Sequence, residues 1–395
     1  MRRFFAVAIL GLMALSARAA APVVDGSLDA SYGPAIALQT DGTGFGDPNP
    51  PGSLGGSELD AAYATVSGGR LYLMLTGNHE PNFNKLDILI DSKAGGENTL
   101  TGSPQYDFFN GSSWNSQDLA GLTFDSTFSA DYHLFSRWVS GTSPYEVDFV
   151  NRNGVGSAQV PGSTGSSPNA VGLIAAGSIP AGQVGTNASV SALTQNLDFA
   201  INDNNSGGVT ASTASAAAAL AVTTGMEFSI ALADIGSPVP GQTIKIAAMI
   251  DNGDHNYLSN QILGPLSSGT GNLGGDGGGN FTGNLAGVNF NQFAGAQYFE
   301  VQIRSAPGDY TLDGKVDIAD FDFWKADFGS TTERNADGNN DGVVDAADYT
   351  IWRDNVGTGL PSSPGSASLA GIPEPSTTVI ITIGIVLSGL MIRRR

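Results

Sequence analysis

The sequence lacks cysteine altogether and is poor in histidine and in charged residues. Its 395 residues include no Cys, three His and 14% charged residues, against roughly 25% in ordinary globular chains. Disulfide scaffolds, thiolate metal sites and cysteine nucleophiles are therefore excluded. The 17 basic residues are outnumbered by 37 acidic ones, which gives a net charge of −20. A chain of this charge repels phosphate, so we expect no nucleic-acid partner.

Glycine and apolar residues are plentiful by contrast. The chain has 54 glycines, and 41% of its residues are hydrophobic, which is enough to form a core. Its length allows two or three domains. The acidic residues are unevenly distributed, because residues 307–357 carry twelve acidic and four basic side chains and so −8 of the net charge.

The N-terminus has the features of a secretory signal peptide. Arg2 and Arg3 precede an apolar run over residues 4–15, which is too short to span a bilayer, and Ala17-Arg18-Ala19 provides a small-residue cleavage pattern. We expect residues 1–19 to be removed after Ala19, although an N-terminal core helix is the alternative interpretation. Export without cysteine implies that the remaining domains are stabilised by packing or by metal.

The C-terminus has the features of a membrane-associated tail. Pro373-Glu374-Pro375 precedes an apolar run over residues 377–392, and Arg393, Arg394 and Arg395 end the sequence. Sixteen helical residues cover about 24 Å at 1.5 Å each, which is short of the roughly 30 Å hydrocarbon core but within reach of snorkelling flanks. Terminal arginines stay on the cytoplasmic side, so a permanent tail anchor is one interpretation.

This order of motifs resembles the PEP-CTERM sorting signal of exported bacterial proteins, over residues 372–395. The resemblance implies processing by an exosortase, which cuts near Pro-Glu-Pro and releases or re-attaches the protein. It implies a location at the cell envelope, cell surface or extracellular matrix of a Gram-negative organism, together with extracellular polysaccharide. The apolar helix then contacts the cytoplasmic membrane only before processing.

An acidic motif is duplicated with an offset of 28 residues. Residues 309–320 (DYTLDGKVDIAD) align with residues 337–348 (DGNNDGVVDAAD), and the similarity continues into the residues that follow. Ca²⁺ takes six to eight oxygen ligands, and an EF-hand loop supplies them from positions 1, 3, 5, 7, 9 and 12 with glycine at position 6. The predicted ligands of the first loop are Asp309, Thr311, Asp313, the Lys315 carbonyl, Asp317 and Asp320. Those of the second loop are Asp337, Asn339, Asp341, the Val343 carbonyl, Asp345 and Asp348.

The ligand set predicts two bound calcium ions, with weaker binding in the first loop because Thr311 stands where Asp or Asn is commoner. Mg²⁺ fits less well, since it prefers octahedral sites that retain several waters. The alternative is a pair of Gly/Asp-rich turns that bind nothing. Val316 and Val344 occupy position 8, where we expect an apolar side chain to pack the two loops together.

One short helix is predicted after each loop. Phe321, Trp324 and Phe328 recur at i, i+3 and i+7, and Tyr349, Trp352 and Val356 repeat the pattern. Gly329 and Gly357 predict the ends of these helices. We expect Trp324 and Trp352 to pack in a core rather than bind a ligand.

This loop–helix pair, with Asp at position 12, resembles the type I dockerin domain over residues 308–357. The resemblance implies two calcium-bound units related by a pseudo-twofold axis and a cohesin-like module as partner. Phe321-Asp322 and Tyr349-Thr350 depart from the Ser/Thr-type recognition pair common in cellulosomal members.

The region between the ends is predicted to be mainly β. Short strand-like segments alternate with Gly-rich turns, which favours a large β-sandwich. The predicted strands are 58–66, 70–76, 85–91, 131–139, 145–150, 196–201, 226–232, 243–250 and 297–303. Residues 211–222 could form a short helix, Gly68-Gly69 predicts a hairpin, and residues 267–289 read as a long flexible loop.

Three segments resemble family 9-like carbohydrate-binding modules: residues 24–29 (VDGSLD), 59–76 and 226–236. The resemblance implies a β-sandwich with a polysaccharide ligand. Sugar binding favours an exposed aromatic residue; of Trp114 and Trp138, we expect Trp138 to lie in the core because it falls in a predicted strand.

No catalytic motif is evident in the sequence. It has no G-x-S-x-G elbow, and each histidine is isolated; His79 and His255 fall in polar stretches and are expected to be solvated. Paired carboxylates for glycoside hydrolysis depend on spatial separation, and the candidates are Asp87, Asp91, Glu97 and Asp251. The stretch 251–254 (DNGD) predicts a turn rather than a metal site.

The predicted organisation is a signal peptide (1–19), a β-sandwich (20–305), a small α-helical dockerin-like domain (306–358), a linker (359–371) and the sorting signal with its transmembrane helix (372–395). The sequence favours a non-enzymatic surface or matrix protein that binds glycan or protein. A polysaccharide-degrading glycoside hydrolase or its accessory subunit, and a purely structural envelope protein, remain as alternatives.

Overall fold

Two antiparallel β-sheets make up most of the fold in a computed structural model of the chain. The structure describes residues 21–359 except 48–55, 107, 110–112, 139–144, 154–159, 165–172, 184–192, 211–213, 265, 332–334 and 340–341. The predicted signal peptide and sorting signal lie outside the described residues. The described part of the chain up to Gly359 forms one compact unit.

The first sheet has six strands in the order β1-β2-β3-β12-β11-β10, and all its neighbouring strands are antiparallel. Its strands are β1 (Ala37–Leu38), β2 (Ser57–Ser67), β3 (Arg70–His79), β10 (Leu173–Ile179), β11 (Leu197–Asn202) and β12 (Gly225–Ala231).

The second sheet follows the order β14-β13-β4-β7-β8-β9, with β15 paired to the other half of β13. Its strands are β4 (Lys85–Asp91), β7 (Tyr132–Trp138), β8 (Tyr145–Asn151), β9 (Val160–Thr164), β13 (Thr243–Asp251), β14 (Leu258–Leu263) and β15 (Phe299–Gln302). A two-residue ladder joins β5 (Phe108–Phe109) to β6 (Ser113–Trp114).

The inner faces of the two sheets share one hydrophobic core. Leu71, Leu73 and Leu75 alternate along β3, as Leu86, Ile88 and Ile90 do along β4, and all six belong to this core. Alternation places every second side chain on one face of a strand, so the sheets pack face to face. Trp138 is fully buried here, as predicted from its place in a strand.

The outer face of the second sheet carries a second core of its own. Leu89, Phe135 and Met249 point away from the shared core and pack beneath residues 100–130 and 258–293. The predicted loop at 267–289 is irregular, but Leu273, Leu285 and Val288 are fully buried. These anchors correct the expectation of a freely flexible loop.

Two helices follow the sheets, with a short one between strands. They are α1 (Ala216–Leu220), α2 (Ile318–Asp327) and α3 (Ala346–Asn355). Gly329 and Gly357 take φ values of 88° and 83° just beyond α2 and α3. These left-handed conformations favour glycine and confirm both predicted helix ends.

All nine predicted strands are present, and the chain turns between β2 and β3 at Gly68-Gly69, both with positive φ. The sequence reading missed β1, β5, β6, β9, β10 and β14. Several of these are two-residue ladders or contain Gly, Ser or Pro, which carry a weak strand signal. Among the described residues, no helix is both long and apolar enough to cross a membrane.

We predict that Ile246→Ala lowers the free energy of unfolding by about 2–5 kcal/mol, the usual cost of truncating a buried isoleucine. Ile246 is fully buried on β13, paired with β15 on one side and β4 on the other. Val239→Ala is the control, because Val239 is 55% exposed. Urea denaturation measures both, and equal effects would contradict this placement of the core.

Candidate calcium centre and a buried histidine network

The two acidic loops form the same hydrogen bonds at equivalent positions. At position 1, Asp309 Oδ2 accepts from Gly314 N (3.2 Å) and Asp337 Oδ2 accepts from Gly342 N (2.9 Å). Gly314 and Gly342 have φ values of 91° and 90°. Position 6 therefore needs glycine in both loops, as the EF-hand pattern predicts.

The carboxylate at position 12 closes each loop. Asp320 Oδ1 accepts from the backbone N–H groups of Tyr310 (2.8 Å) and Thr311 (2.9 Å). Asp348 Oδ1 does the same for Gly338 (2.7 Å) and Asn339 (3.2 Å). These two-bond clamps hold each loop folded against the start of its helix.

Position 9 is the N-cap of each helix. Asp317 and Asp345 accept from the backbone two residues ahead, and the position-12 carboxylates bond back to the cap N–H at 2.8 and 2.7 Å. This is a capping box in which Asp takes the place of Glu. One pattern of Asp residues thus sets both the loop and the first turn of the helix.

The two loop–helix units exchange equivalent contacts. Trp324 Nε1 donates to the Asp345 carbonyl (2.8 Å), and Trp352 Nε1 donates to the Asp317 carbonyl (2.7 Å). Val316 pairs through its backbone with Gly357 and Thr358, as Val344 does with Gly329 and Ser330. The reciprocity gives the pair an approximate twofold relation.

Most of the predicted ligand residues are described, but their carboxylates are not gathered around one point. The position-1 and position-12 carboxylates are almost fully buried, whereas Asp313 and Asp317 are exposed. Thr311 Oγ1 donates to Asp320 Oδ1 at 2.9 Å. Asp341 lies outside the described residues. Coordination of one ion by a whole loop therefore requires these carboxylates to converge further.

The tryptophans pack as expected, though in a half-buried cluster. Phe321 lies 5.6 Å from Trp324 and 5.0 Å from Trp352 between ring centroids, and Tyr349 contacts both indoles. Phe328 and Val356, at the ends of the two predicted stripes, are 57% and 51% exposed. In each helix the tryptophan of the apolar stripe is partly covered, whereas the side chain at the C-terminal end of the stripe is exposed to solvent.

A second constellation lies inside the two-sheet region, where the sequence pointed to isolated residues. In the part of the chain that the structure describes, only Asp87, Asp251 and His255 bring three carboxylate or imidazole ligand atoms within 4.8 Å of one another. His255 Nδ1 lies 2.8 Å from Asp251 Oδ2 and 3.2 Å from Asp87 Oδ2. All three residues are fully buried.

This group continues as a chain of hydrogen bonds through the second core. Asp87 Oδ1 lies 2.9 Å from His133 Nε2, and His133 Nδ1 lies 2.8 Å from the Tyr106 hydroxyl. Arg152 Nη1 donates to that hydroxyl at 2.5 Å and the same guanidinium pairs with Glu97. Asp87, Asp251 and Glu97 were candidate carboxylates, and the fold links all three.

Charge within the network is shared between cations and carboxylates. The neighbouring Asp251 and Asp87 raise the pKa of His255 to about 9 in spite of its burial. His255 and His133 together hold the pKa of Asp87 well below its usual range, although burial opposes them. Burial lowers the pKa of His133 to about 4. The raised pKa of His255 favours a proton on Nδ1, which lies 2.8 Å from Asp251 Oδ2, over a lone pair directed at a metal.

The expectation that His79 and His255 are solvated was wrong. Both are fully buried: His79 Nδ1 lies 2.8 Å from the Tyr145 hydroxyl, and His255 sits in the turn that follows Asp251. The turn at 251–254 is present, but Asp251 itself belongs to β13. The sequence gives no direct signal for this network: Asp87 lies between Leu86 and Ile88 in a strand, and such a position usually faces solvent when only one face of a sheet is covered. Here the outer face is covered as well. Asp91 stands apart and accepts from Ser129 N.

The comparisons with known proteins add no relative. No family model, curated protein or solved structure matches this chain.

We predict that the free energy of unfolding falls as pH rises from about 7 to 9, in saturating calcium. A folded pKa above the unfolded value makes the folded state bind more protons, so its stabilising contribution is lost on passing through the folded pKa. This sign applies to His255, and also to Asp251, whose pKa burial and Asp87 raise well above its usual range. Denaturant titrations at each pH measure the slope.

Asp251→Asn should flatten this slope, because it removes one raised group and the main charge that supports His255. His79→Gln is the control: burial lowers the pKa of His79 to about 4, so its titration is complete below the tested range. A wild-type stability that stays level between pH 7 and 9 contradicts the assignment.

Proposed function

We propose that the chain is an exported calcium-binding protein of the cell surface or extracellular matrix, without catalytic activity. In this proposal the two-sheet region is a β-sandwich that binds glycan or protein, and the loop–helix pair is a dockerin-like module for docking to another protein. The observation that carries the proposal is the matching set of hydrogen bonds at positions 1, 9 and 12 of the two loops, at an offset of 28 residues.

The chemistry of the loops fits calcium. Each places Asp at positions 1, 5, 9 and 12, glycine at position 6 and an oxygen-bearing side chain at position 3. Calcium prefers such hard oxygen donors. Burial of Asp309, Asp320, Asp337 and Asp348 concentrates negative charge, which a bound cation would offset. The sites then act as internal cross-links in a small domain that has no disulfides.

Binding rather than catalysis is also supported by the two-sheet region. The carboxylates Asp87 and Asp251 are fully buried within a hydrogen-bonded network. A general acid or nucleophile needs contact with its substrate, which this network does not offer. A cleft of about 880 Å³ opens elsewhere, between β1, β2 and β15, and is lined by residues that include Tyr298, Glu300 and Arg304. Its size suits a small ligand or a sugar unit.

Export and sorting rest on the two ends of the sequence. A signal peptide and a PEP-CTERM-like tail, processed by an exosortase, would place the protein outside the cytoplasmic membrane. Calcium is then available to the loops from the surroundings, and the partner would be a cohesin-like module or an extracellular polysaccharide.

We predict that Asp320→Asn with Asp348→Asn removes two bound calcium ions per chain, because each variant loses a position-12 charge and its loop clamp. Equilibrium dialysis of the full chain, followed by metal analysis, gives the count. Asp322→Asn is the control, since Asp322 is an exposed residue of α2 outside the ligand set. An unchanged count in the double variant would refute calcium binding by the loops.

The docking proposal needs a separate measurement. The full chain, immobilised with calcium or with chelator, is presented with polysaccharides and exported proteins of the source organism. We expect a specific partner to be retained by the loop–helix pair only with calcium and lost in the double variant. If the partner is retained equally with calcium, with chelator and by the double variant, the docking role is contradicted.

A further inference from the structure

Three buried polar side chains lie together where β2 begins and β3 ends, on the outer side of the first sheet. Glu58 and Asn78 are direct cross-strand neighbours, and Asn78 Nδ2 donates to Glu58 Oε1 at 3.3 Å. Asp60 is the extra residue of a β-bulge between Leu59 and Ala61. Bulges of this kind re-aim a side chain next to functional sites. We call Glu58, Asp60 and Asn78 the Glu58 cluster.

Each member of the Glu58 cluster has an oxygen without a hydrogen-bond donor. These atoms are Glu58 Oε2, Asp60 Oδ2 and Asn78 Oδ1, and the three side chains are fully buried. Leaving a buried acceptor unsatisfied costs about 1–3 kcal/mol, and more for a charged group. Three such oxygens in neighbouring positions therefore call for a ligand that accepts electron pairs.

The orientation of the Asn78 amide follows from its neighbours. Its nitrogen lies among three oxygens: Glu58 Oε1, the Asn205 carbonyl (3.3 Å) and Asn205 Oδ1 (2.9 Å). A nitrogen can donate to such atoms and an oxygen cannot. The Asn78 oxygen must therefore be the atom that faces away from them without a partner.

The loop after β11 closes over the Glu58 cluster. Val209 N donates to Asp60 Oδ1 (2.8 Å), and Asn205 Nδ2 donates to the Gly77 carbonyl (3.0 Å). Gly208 has φ +104°, and a Cβ there would lie 2.2 Å from Asp60 Oδ1. The backbone of this loop, residues 203–209 (DNNSGGV), thus passes directly against the Asp60 carboxylate at Gly208 and Val209.

Among the described residues, the charges that act most strongly on Glu58 are all negative. Burial and the carboxylates of Asp60, Asp47 and Glu80 raise the pKa of Glu58 to about 9. This differs from the histidine network, where His255 and Arg152 accompany the acids. A cation held among these oxygens would supply the missing opposite charge.

We propose that the Glu58 cluster is a calcium site of the two-sheet region, separate from the two acidic loops. The unsatisfied atoms of the Glu58 cluster are all oxygens. Oxygen ligands suit Ca²⁺ or Mg²⁺, whereas zinc and copper favour nitrogen and sulfur. Mg²⁺ keeps several waters, and fully buried ligands leave little room for them. Bound calcium would fasten the bulge of β2 and the end of β3 to the loop after β11.

Calcium counting on the full chain tests the site independently of the loops. We expect Asp320→Asn with Asp348→Asn to retain one ion per chain, and the further changes Glu58→Gln and Asp60→Asn to remove it. Glu227→Gln added to the loop variants is the matched control. Glu227 is equally buried, but its oxygens accept from Asp25 N, Gly26 N and the Tyr32 hydroxyl, so the ion should stay.

A milder change keeps the test valid where the combined variant does not fold. In the chain that carries Asp320→Asn and Asp348→Asn, the further change Glu58→Gln should weaken calcium binding at least tenfold, since affinity follows the number of charged ligands. Without Glu58→Gln, a tenfold excess of Mg²⁺ over Ca²⁺ should not displace the bound calcium. Folding is checked by near-ultraviolet circular dichroism. The proposal is overturned when the loop variants bind no calcium, or when Glu58→Gln and Glu227→Gln leave the same affinity. A wild-type count of one, unaffected by the loop variants, would instead refute the loops and leave this site standing.

Discussion

Buried carboxylates are the constraint on which the rest of this structure depends. A carboxylate removed from water is costly unless hydrogen bonds or opposite charges replace the solvent. The chain answers this demand in three ways. Asp320 and Asp348 each accept from several backbone N–H groups, and Asp87 lies between two imidazoles. Glu58 and Asp60 lie beside a loop that donates the Val209 N–H to Asp60. The first arrangement shapes the acidic loops, and the second links strands of the second sheet. The third leaves carboxylate oxygens without a hydrogen-bond donor.

The first two arrangements act over different distances in the chain. Where backbone N–H groups satisfy a buried carboxylate, the partners lie within one acidic loop. Because the loop sequence is duplicated, its hydrogen bonds are duplicated as well. Where imidazoles satisfy it, the network runs from Glu97 and Arg152 to Asp251 and includes residues of β4, β7 and β13. It links the second sheet to the residues that cover its outer face. Such a network is most stabilising when every member has its hydrogen-bond partners, and the loss of any member is costly.

Sequence reasoning recovered what is local. The nine predicted strands follow from alternation of apolar residues, and α2 and α3 follow from the Asp pattern that also caps them. The histidine network was missed because its members come from residues 87, 133, 251 and 255, and only the strand pairing Asp87–Met249 and Leu89–His133 makes them neighbours. The Glu58 cluster was missed for a similar reason: a one-residue bulge at Asp60 and a distant loop decide where its oxygens point. Neither a bulge nor a strand order has a signature in the spacing of residues.

The pairing of Val316 with Gly357 and Thr358 has a mechanical consequence. Lys315 also bridges to Gly359, the last described residue. The chain therefore leaves the loop–helix pair alongside its own first loop, antiparallel to it, and not from a free helix end. Tension applied through the residues that follow would peel these backbone bonds apart one after another, starting beside Lys315, and would reach the Asp309–Asp320 loop before it reaches any strand. The interactions that stabilise the Asp309–Asp320 loop, including the hydrogen bonds of Asp320, therefore also determine the force at which the chain begins to unfold.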